Sequence, residues 1–366
     1  MRRWRLAARV CGAWLAAAGA LRAAEPATKE FIWAIPKAEL HIHFEGTLEP
    51  EHYLELAKRN ALPVRYATAA AVRQRQRDGR DLKSFIEVYE ELLSVIRTEA
   101  DFREVTLAHL RRTKAQQIVY TEMFFDPQMH TERGIPLATV FAGLLAAQAA
   151  ARDELGVRVE YIMCFNRDRS AESALAILEA SRPWHRRILG VGLDNPEEKD
   201  FPRKFAGVFA RARSLGLRAT SHCDVNQPNT LAHHWGCLDE LKVERIDHGI
   251  NVLDDPALIA AVKARGIGLT VCPTLMEAEI PGRLEFRAKA VKQMLELGLL
   301  VTINSDDPGL MRGLLVGDLM LAVHQTVGLT KAEIVTLAEN SFRIAWLPEA
   351  ERATYLAAVR AAAAIK

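Results

Sequence analysis

Four short segments, far apart in the chain, set ionisable side chains at or just past the end of an apolar run. They are Leu40-His41-Ile42-His43, Thr220-Ser221-His222, Ile246-Asp247-His248-Gly249 and Ile303-Asn304-Ser305-Asp306-Asp307. Residues i and i+2 of an extended strand point to one face, so His41 and His43 are expected side by side. Neutral imidazole is a favoured zinc ligand. A third imidazole and a carboxylate from distant strands would complete a set of four. Three nitrogens and one carboxylate leave a position open for water, which distinguishes a catalytic from a structural zinc site. Bound zinc brings the pKa of that water toward neutrality. His248 would then stand beside the water as base or orienting group. Asp307, next to Asp306, would exchange a hydrogen bond with the substrate.

A single His-x-His is a weak sign. A histidine on an apolar stretch is more often a core residue with one hydrogen-bond partner. Four such segments together resist that reading, because charged groups at the ends of buried strands are costly without pairing or a metal. Gly192-Leu193-Asp194 carries no lysine or histidine to bridge a second ion. One Zn2+ per chain is therefore expected.

The elements that must position these groups can be read from the pattern. Apolar, β-branched runs lie at Ala38–His43, Ile118–Phe125, Val157–Phe165, Ile188–Leu193, Leu217–His222, Arg245–His248, Gly268–Cys272 and Leu300–Asn304. Helical periodicity fills the intervals, as at Asp101–Lys114, Leu137–Leu155, Lys204–Leu215, Pro256–Arg265 and Arg287–Leu297. Strands alternating with helices imply a parallel sheet. Eight units in about 270 residues fit a closed (β/α)8 TIM barrel, typically about 250 residues. A doubly wound open sheet is disfavoured, because a closed ring brings the ends of strands one, five, six and eight to one mouth. No Gly-x-Gly-x-x-Gly follows a strand, which removes the dinucleotide signal. The connection from Phe44 to Ala115 is far longer than one helix needs. Extra helices between strands one and two, at Pro50–Arg59, Leu82–Ile96 and Asp101–Lys114, are expected over the mouth as a lid or specificity element. Thr330 and Glu333 form a capping box for a helix starting near Lys331. The tail Ala357–Lys366 reads as a peripheral helix.

Composition is that of an ordinary globular protein: 366 residues, 49% hydrophobic, 26% charged, formal net charge +2. Nothing in that balance suggests nucleic-acid binding. The basic stretch Arg73–Arg80 reads as a solvated loop. Cys11, Cys164, Cys223, Cys237 and Cys272 show no metal or scaffold spacing and read as free thiols or buried side chains. Cys223 should face away from an inward-pointing His222. Arg2, Arg3 and Arg5 precede the apolar run Val10–Leu21 and then Arg22-Ala23-Ala24. This has the form of a secretory signal peptide over residues 1–23, too short for a membrane span of about 20 residues. With a working signal the protein would be periplasmic or secreted; with an upstream misplaced start, cytoplasmic. Residues 24–366 then form one catalytic domain.

The residues also carry a resemblance. The segment from Pro36 to Pro50, which reads Pro-Lys-Ala-Glu-Leu-His-Ile-His-Phe-Glu-Gly-Thr-Leu-Glu-Pro, is similar to the opening motif of the adenosine/adenine deaminase family. So are Phe124-Phe125-Asp126-Pro127-Gln128, Arg245-Ile246-Asp247-His248-Gly249, Leu269-Thr270-Val271-Cys272-Pro273 and Asn304-Ser305-Asp306-Asp307-Pro308. The likeness runs from about Trp33 to Leu347. Gly192-Leu193-Asp194 and the Phe-Phe-Asp-Pro segment look closer to the adenine deaminases than to the nucleoside enzymes. The resemblance implies a TIM barrel and zinc-dependent hydrolytic deamination of a 6-aminopurine to the 6-oxopurine and ammonia. It places zinc on His41, His43, His222 and Asp306, gives His248 the water-orienting role and gives Asp307 a hydrogen bond to the purine ring.

One departure bears on function. Family members usually read His-Ala-Gly-Glu at the end of strand five, where the glutamate gives a proton to the ring nitrogen. Here the segment is His222-Cys223-Asp224-Val225. Val225 fills the glutamate position, and Asp224 stands one residue earlier as a candidate replacement donor, a role that requires a raised pKa. Asp224 could equally cap the next loop or hold a ligand in place. Thr274-Leu275-Met276-Glu277 also departs from the small polar residues of relatives, and Glu277 is the next donor candidate. The expected partner is a small aminopurine, adenine or adenosine-like. The alternatives are a different amino-heterocycle, or a catalytically weak metal-containing purine-binding protein.

Overall fold

The computed structural model describes residues 27–78, 82–273 and 282–364. Eight strands succeed one another around a single sheet in sequence order. They are β1 (Lys37–Glu39), β2 (Ile118–Phe125), β3 (Arg158–Asn166), β4 (Gly190–Asp194), β5 (Arg218–Cys223), β6 (Arg245–His248), β7 (Gly268–Val271) and β8 (Leu300–Ile303). Every pairing between successive strands is parallel. The ring closes just past the ends of β8 and β1. The Asp306 N–H donates to His41 O at 3.1 Å, and the His43 N–H donates to Asp306 O at 3.1 Å. This is the (β/α)8 TIM barrel that the alternation of runs implies.

The strand residues are apolar because each has a helix on its outer side. Inside the barrel, buried polar groups meet one another. Arg245 Nη1 donates to Glu122 Oε2 at 2.6 Å, and Glu122 Oε1 accepts from the Trp346 N–H at 2.5 Å and the Tyr120 hydroxyl at 3.0 Å. The Arg245 guanidinium also lies over the Trp346 ring, 4.6 Å from its centroid. Asp247 accepts from Thr220 Oγ1 at 2.6 Å and Thr270 Oγ1 at 2.9 Å.

The long connection forms helices Pro50–Arg59, Ala69–Gln76, Leu82–Leu93 and Glu99–Lys114. The first has the bounds expected from the sequence. The second corrects the reading of Arg73–Arg80 as a loop over its helical part. Thr68 Oγ1 caps the helix by accepting from the Ala71 N–H at 3.2 Å. Arg73 pairs with Glu51 at 2.6 Å and Arg75 with Glu91 at 3.0 Å. The first strand is shorter than the Ala38–His43 run. Its register shifts between Lys37 and Ala38, and the Leu40 N–H turns to Asn304 Oδ1 at 2.9 Å. The run Leu137–Leu155 becomes an α-helix to Ala150 and a π turn, Ala151–Leu155, closed by Gly156 at φ 66°. The capping box at Thr330 and Glu333 is present, with the Thr330 N–H on Glu333 Oε2 at 2.7 Å. The tail is helical over Glu349–Ala364, where Tyr355 stacks on Phe342 at 4.8 Å.

Cys164, Cys223, Cys237 and Cys272 are buried free thiols. Cys223 Sγ faces Cys237 Sγ at 3.5 Å, away from the barrel axis as β-alternation requires. Among the described residues, no helix is long and apolar enough to cross a membrane. The expected signal peptide, Cys11 and the segment Thr274–Glu277 lie outside the described residues.

Candidate active site

A cavity of ≈ 1450 Å³ opens at the C-terminal end of the barrel, where enzymes of this architecture carry their chemistry. His43, His222, His248, Asp306 and Asp307 line it, and Phe85 and Tyr89 of the long connection form part of its wall. The structure thus brings together the groups singled out from sequence. His222 lies one residue before the end of β5, His248 ends β6, and Asp306 stands three residues past β8. His41 and His43 fall just beyond β1, fixed by the same backbone bonds that close the ring. His248 at φ 60° and Asp306 at φ 64° occupy the left-handed region. Non-glycine residues are uncommon there, and such strain gathers at functional sites.

The imidazole orientations decide what the cluster can hold. His222 Nδ1 lies 2.9 Å from Leu193 O, and His41 Nδ1 lies 3.2 Å from Thr270 O. A carbonyl only accepts, so each Nδ1 carries the hydrogen and each Nε2 presents a lone pair. Those Nε2 atoms face inward. His43 Nε2 is 3.1 Å from His222 Nε2, and Asp306 Oδ1 is 3.2 Å from His41 Nε2 and 3.6 Å from His43 Nε2. His41 Nε2 is buried with no hydrogen-bond donor facing it. Ligands about 2.05 Å from a tetrahedral ion stand about 3.3 Å apart. Converging lone pairs and a carboxylate at these separations fit a divalent cation. Burial pulls the His43 pKa down to about 3 and that of His222 well below its ordinary value, which keeps both rings neutral as ligands. Burial opposes ionisation of Asp306, but His41, His248 and His43 outweigh it and hold the carboxylate ionised.

His248 is different. Burial lowers its pKa, but Asp224 and Asp306 more than compensate, and the net shift is upward. Its Nε2 is 3.3 Å from Asp224 Oδ1 and 4.0 Å from Asp306 Oδ2. Asp307 is pushed well above the ordinary carboxylate range by burial and by Asp306 beside it. Asp224 shows the opposite of what a proton donor requires. Burial favours its neutral form, but Arg167 and His248 outweigh burial and lower its pKa. Val225 lines the same cavity and packs against the hydrophobic core.

Sequence reasoning missed several groups. Asp194 Oδ2 lies 3.7 Å from His43 Nδ1, and Asp194 Oδ1 accepts from Asn166 Nδ2 at 3.1 Å. Glu45 accepts from the Asp126 N–H at 2.9 Å and from His130 Nε2 at 2.7 Å; burial raises its pKa to about 7. Arg167, fully buried, was not singled out at all. The only available signal was its place one residue past β3.

Histidine and aspartate side chains gathered at one mouth of an eight-stranded parallel barrel place the chain among amidohydrolase-type folds. Within that class the chain belongs to the adenosine deaminase family, whose pattern it matches over residues 36–362. It is 44% identical over 331 residues to an uncharacterized deaminase of Schizosaccharomyces pombe, a match covering 90% of this chain and 96% of the relative. It is also 44% identical over 341 residues to the adenine deaminase of Caulobacter vibrioides, covering 93% and 98%. Among solved structures it is similar to adenine deaminase from Arthrobacter aurescens, at 36% identity and TM-score 0.82, covering 89% and 98%. A zinc-bound amidohydrolase from Burkholderia ambifaria shares 25% identity at TM-score 0.81, covering 93% and 95%.

Proposed function

We propose that the protein hydrolyses the exocyclic C–N bond of a 6-aminopurine, adenine or a close derivative, giving the 6-oxopurine and ammonia. The observation that carries this reading is the convergence of His41, His43 and His222, with Asp306 Oδ1 3.2 Å from His41 Nε2 and 3.6 Å from His43 Nε2, beside His248. The adenine deaminases among its relatives support the substrate class. His41, His43, His222 and Asp306 would hold one zinc ion, whose Lewis acidity makes water nucleophilic near neutral pH. His248 stands beside the attacking water and orients it. Asp307, whose pKa is raised by burial and by Asp306 beside it, would bond the purine ring and hold it in the cavity. The walls formed by the long connection exclude bulk water from the bound ring.

The test is ultraviolet absorbance of zinc-loaded protein incubated with adenine, adenosine and N6-substituted adenines, since loss of the amino group changes the purine spectrum. Elemental analysis of the same material should give close to one zinc per chain, reduced in His41→Ala and Asp306→Ala. Turnover on at least one aminopurine is expected. A second reading, a metal-containing purine-binding protein, rests on the apolar Val225 where relatives carry a glutamate. A flat spectrum with retained purine binding would favour it. Full metal retention in both variants would rule out this ligand set.

A further inference from the structure

Arg167 directs every polar atom of its side chain at the end of β5 and at the segments beside it. Nη1 donates to His222 O at 2.6 Å, Nε donates to Asn195 O at 2.6 Å, and Nη2 pairs with Asp224 Oδ2. Its guanidinium also lies over the Phe201 ring at 4.7 Å. The Asp224 N–H is tied to Glu197 Oε1 at 2.7 Å. Both the backbone and one carboxylate oxygen of Asp224 are therefore fixed. The other oxygen, Oδ1, faces His248 Nε2 at 3.3 Å. His248 Nδ1 is buried with no hydrogen-bond partner. The ring is consequently turned by whichever group meets Nε2, and Asp224 is the nearest that does.

We propose that Arg167 is a positioning residue for the deamination: it clamps Asp224 against His248, so that Asp224 fixes the orientation of the His248 ring in the site. This rests on the deaminase reading above. The unusual His-Cys-Asp-Val sequence is thereby explained as a pair with Arg167. The carboxylate of Asp224, held this way, serves the water-orienting histidine. Arginine suits the task because its planar fork engages three acceptors at fixed angles, whereas a lysine ammonium cannot.

Four variants test it: Arg167→Met, Arg167→Lys, Asp224→Asn and the double variant Arg167→Met/Asp224→Asn. Misaiming a reacting group costs on the order of 10- to 100-fold. Each of Arg167→Met and Asp224→Asn is expected to lower kcat by that factor, with KM within about threefold and zinc content unchanged. The double variant should be no slower than the slower single one, because both break one chain of contacts. Arg167→Lys should recover part of the loss. A double variant as slow as the product of the two single losses would overturn the proposal. So would an Arg167→Met enzyme with unchanged kcat. A readout independent of turnover is the imidazole 15N resonance of His248 in metal-free protein, assigned by its disappearance in His248→Asn. It should shift in the same direction in Arg167→Met, Arg167→Lys and Asp224→Asn, and least in Arg167→Lys. A shift in Asp224→Asn alone would show that Arg167 does not act through Asp224. Arg167→Lys carries the same test if Arg167→Met does not fold. If no aminopurine turns over, the deaminase reading fails by itself, and the resonance still decides the clamp.

Discussion

Gly46 shows how closely the backbone of the long connection approaches the site. A Cβ built there would stand 1.8 Å from Asp307 Oδ1 and 2.6 Å from its Cγ. The residue must be glycine if Asp307 is to keep its place, since those atoms belong to a buried carboxyl group and not to a flexible tip. The two segments are stitched together by the Gly309 N–H, which donates to Gly46 O at 2.8 Å. Gly46→Ala should displace Asp307 by about 1 Å or more, and a misplacement of that size costs about 10²-fold in rate. The expected result is a fall of that order in kcat/KM with zinc content retained, because Asp306 is anchored separately by backbone bonds to His41 and His43. Unchanged kcat/KM would show that Asp307 does not need its observed position. A simultaneous loss of zinc would show that Asp306 moves with it.

At the scale of elements, most of the barrel was legible because each strand is covered on its outer face by a helix. Such strands read as short apolar runs between helical periods. The ends of β2 and β6 agree with the runs Ile118–Phe125 and Arg245–His248. The end of β1 was not legible. Its ladder is broken after Glu39, where the Leu40 N–H turns to Asn304 Oδ1, 264 residues away, and returns only as single bridges at Ile42 and His43, and no local pattern encodes that. The four metal-ligand candidates were legible because histidine and aspartate stand out against apolar runs. Arg167 was not, since its role depends on carbonyl groups contributed by other parts of the chain. Nor was the Glu122–Arg245 pair that ties β2 to β6 across the barrel interior. Both side chains are fully buried. Replacing Glu122 with leucine would take the nearer of two carboxylates from a buried guanidinium, which keeps only Asp247 Oδ1 at 3.6 Å from Nε, at a cost of up to about 3–5 kcal/mol. Glu122→Leu should therefore melt well below the parent protein, whereas Glu122→Leu/Arg245→Met should recover much of the loss. A double variant no more stable than the single one would show that the pair is held by Trp346 and Tyr120, not by charge.

Across the whole molecule, the two ends of the barrel carry different burdens: chemistry at the C-terminal mouth, stability at the opposite face. Lys37 marks the second. It begins β1, is 1% exposed, and its ammonium nitrogen donates to Gln116 O at 2.6 Å and Trp33 O at 3.3 Å. Two carbonyls carry no full charge to offset desolvation, and burial lowers its pKa from 10.5 to about 7. The consequence for stability has a definite sign. Below about pH 7 the lysine is protonated in both folded and unfolded chains, and the cost of burying the charge counts in full. Between about 7 and 10.5 the unfolded chain holds a proton that the folded chain has released, so stability rises with pH. One proton gives a slope of about 1.4 kcal/mol per pH unit. Above that window the group is neutral in both states and contributes nothing further. Lys37→Met removes the titration while keeping a chain of similar length in the same slot. Urea midpoints measured at several values between pH 7.5 and 9.5, at constant zinc, should rise faster in the parent than in the variant. His248 and the metal ligands are common to both proteins, so their titration cancels in the difference. A difference that stays flat across the window would mean that Lys37 keeps its proton when folded, with a counter-charge reaching it that the two carbonyls do not supply.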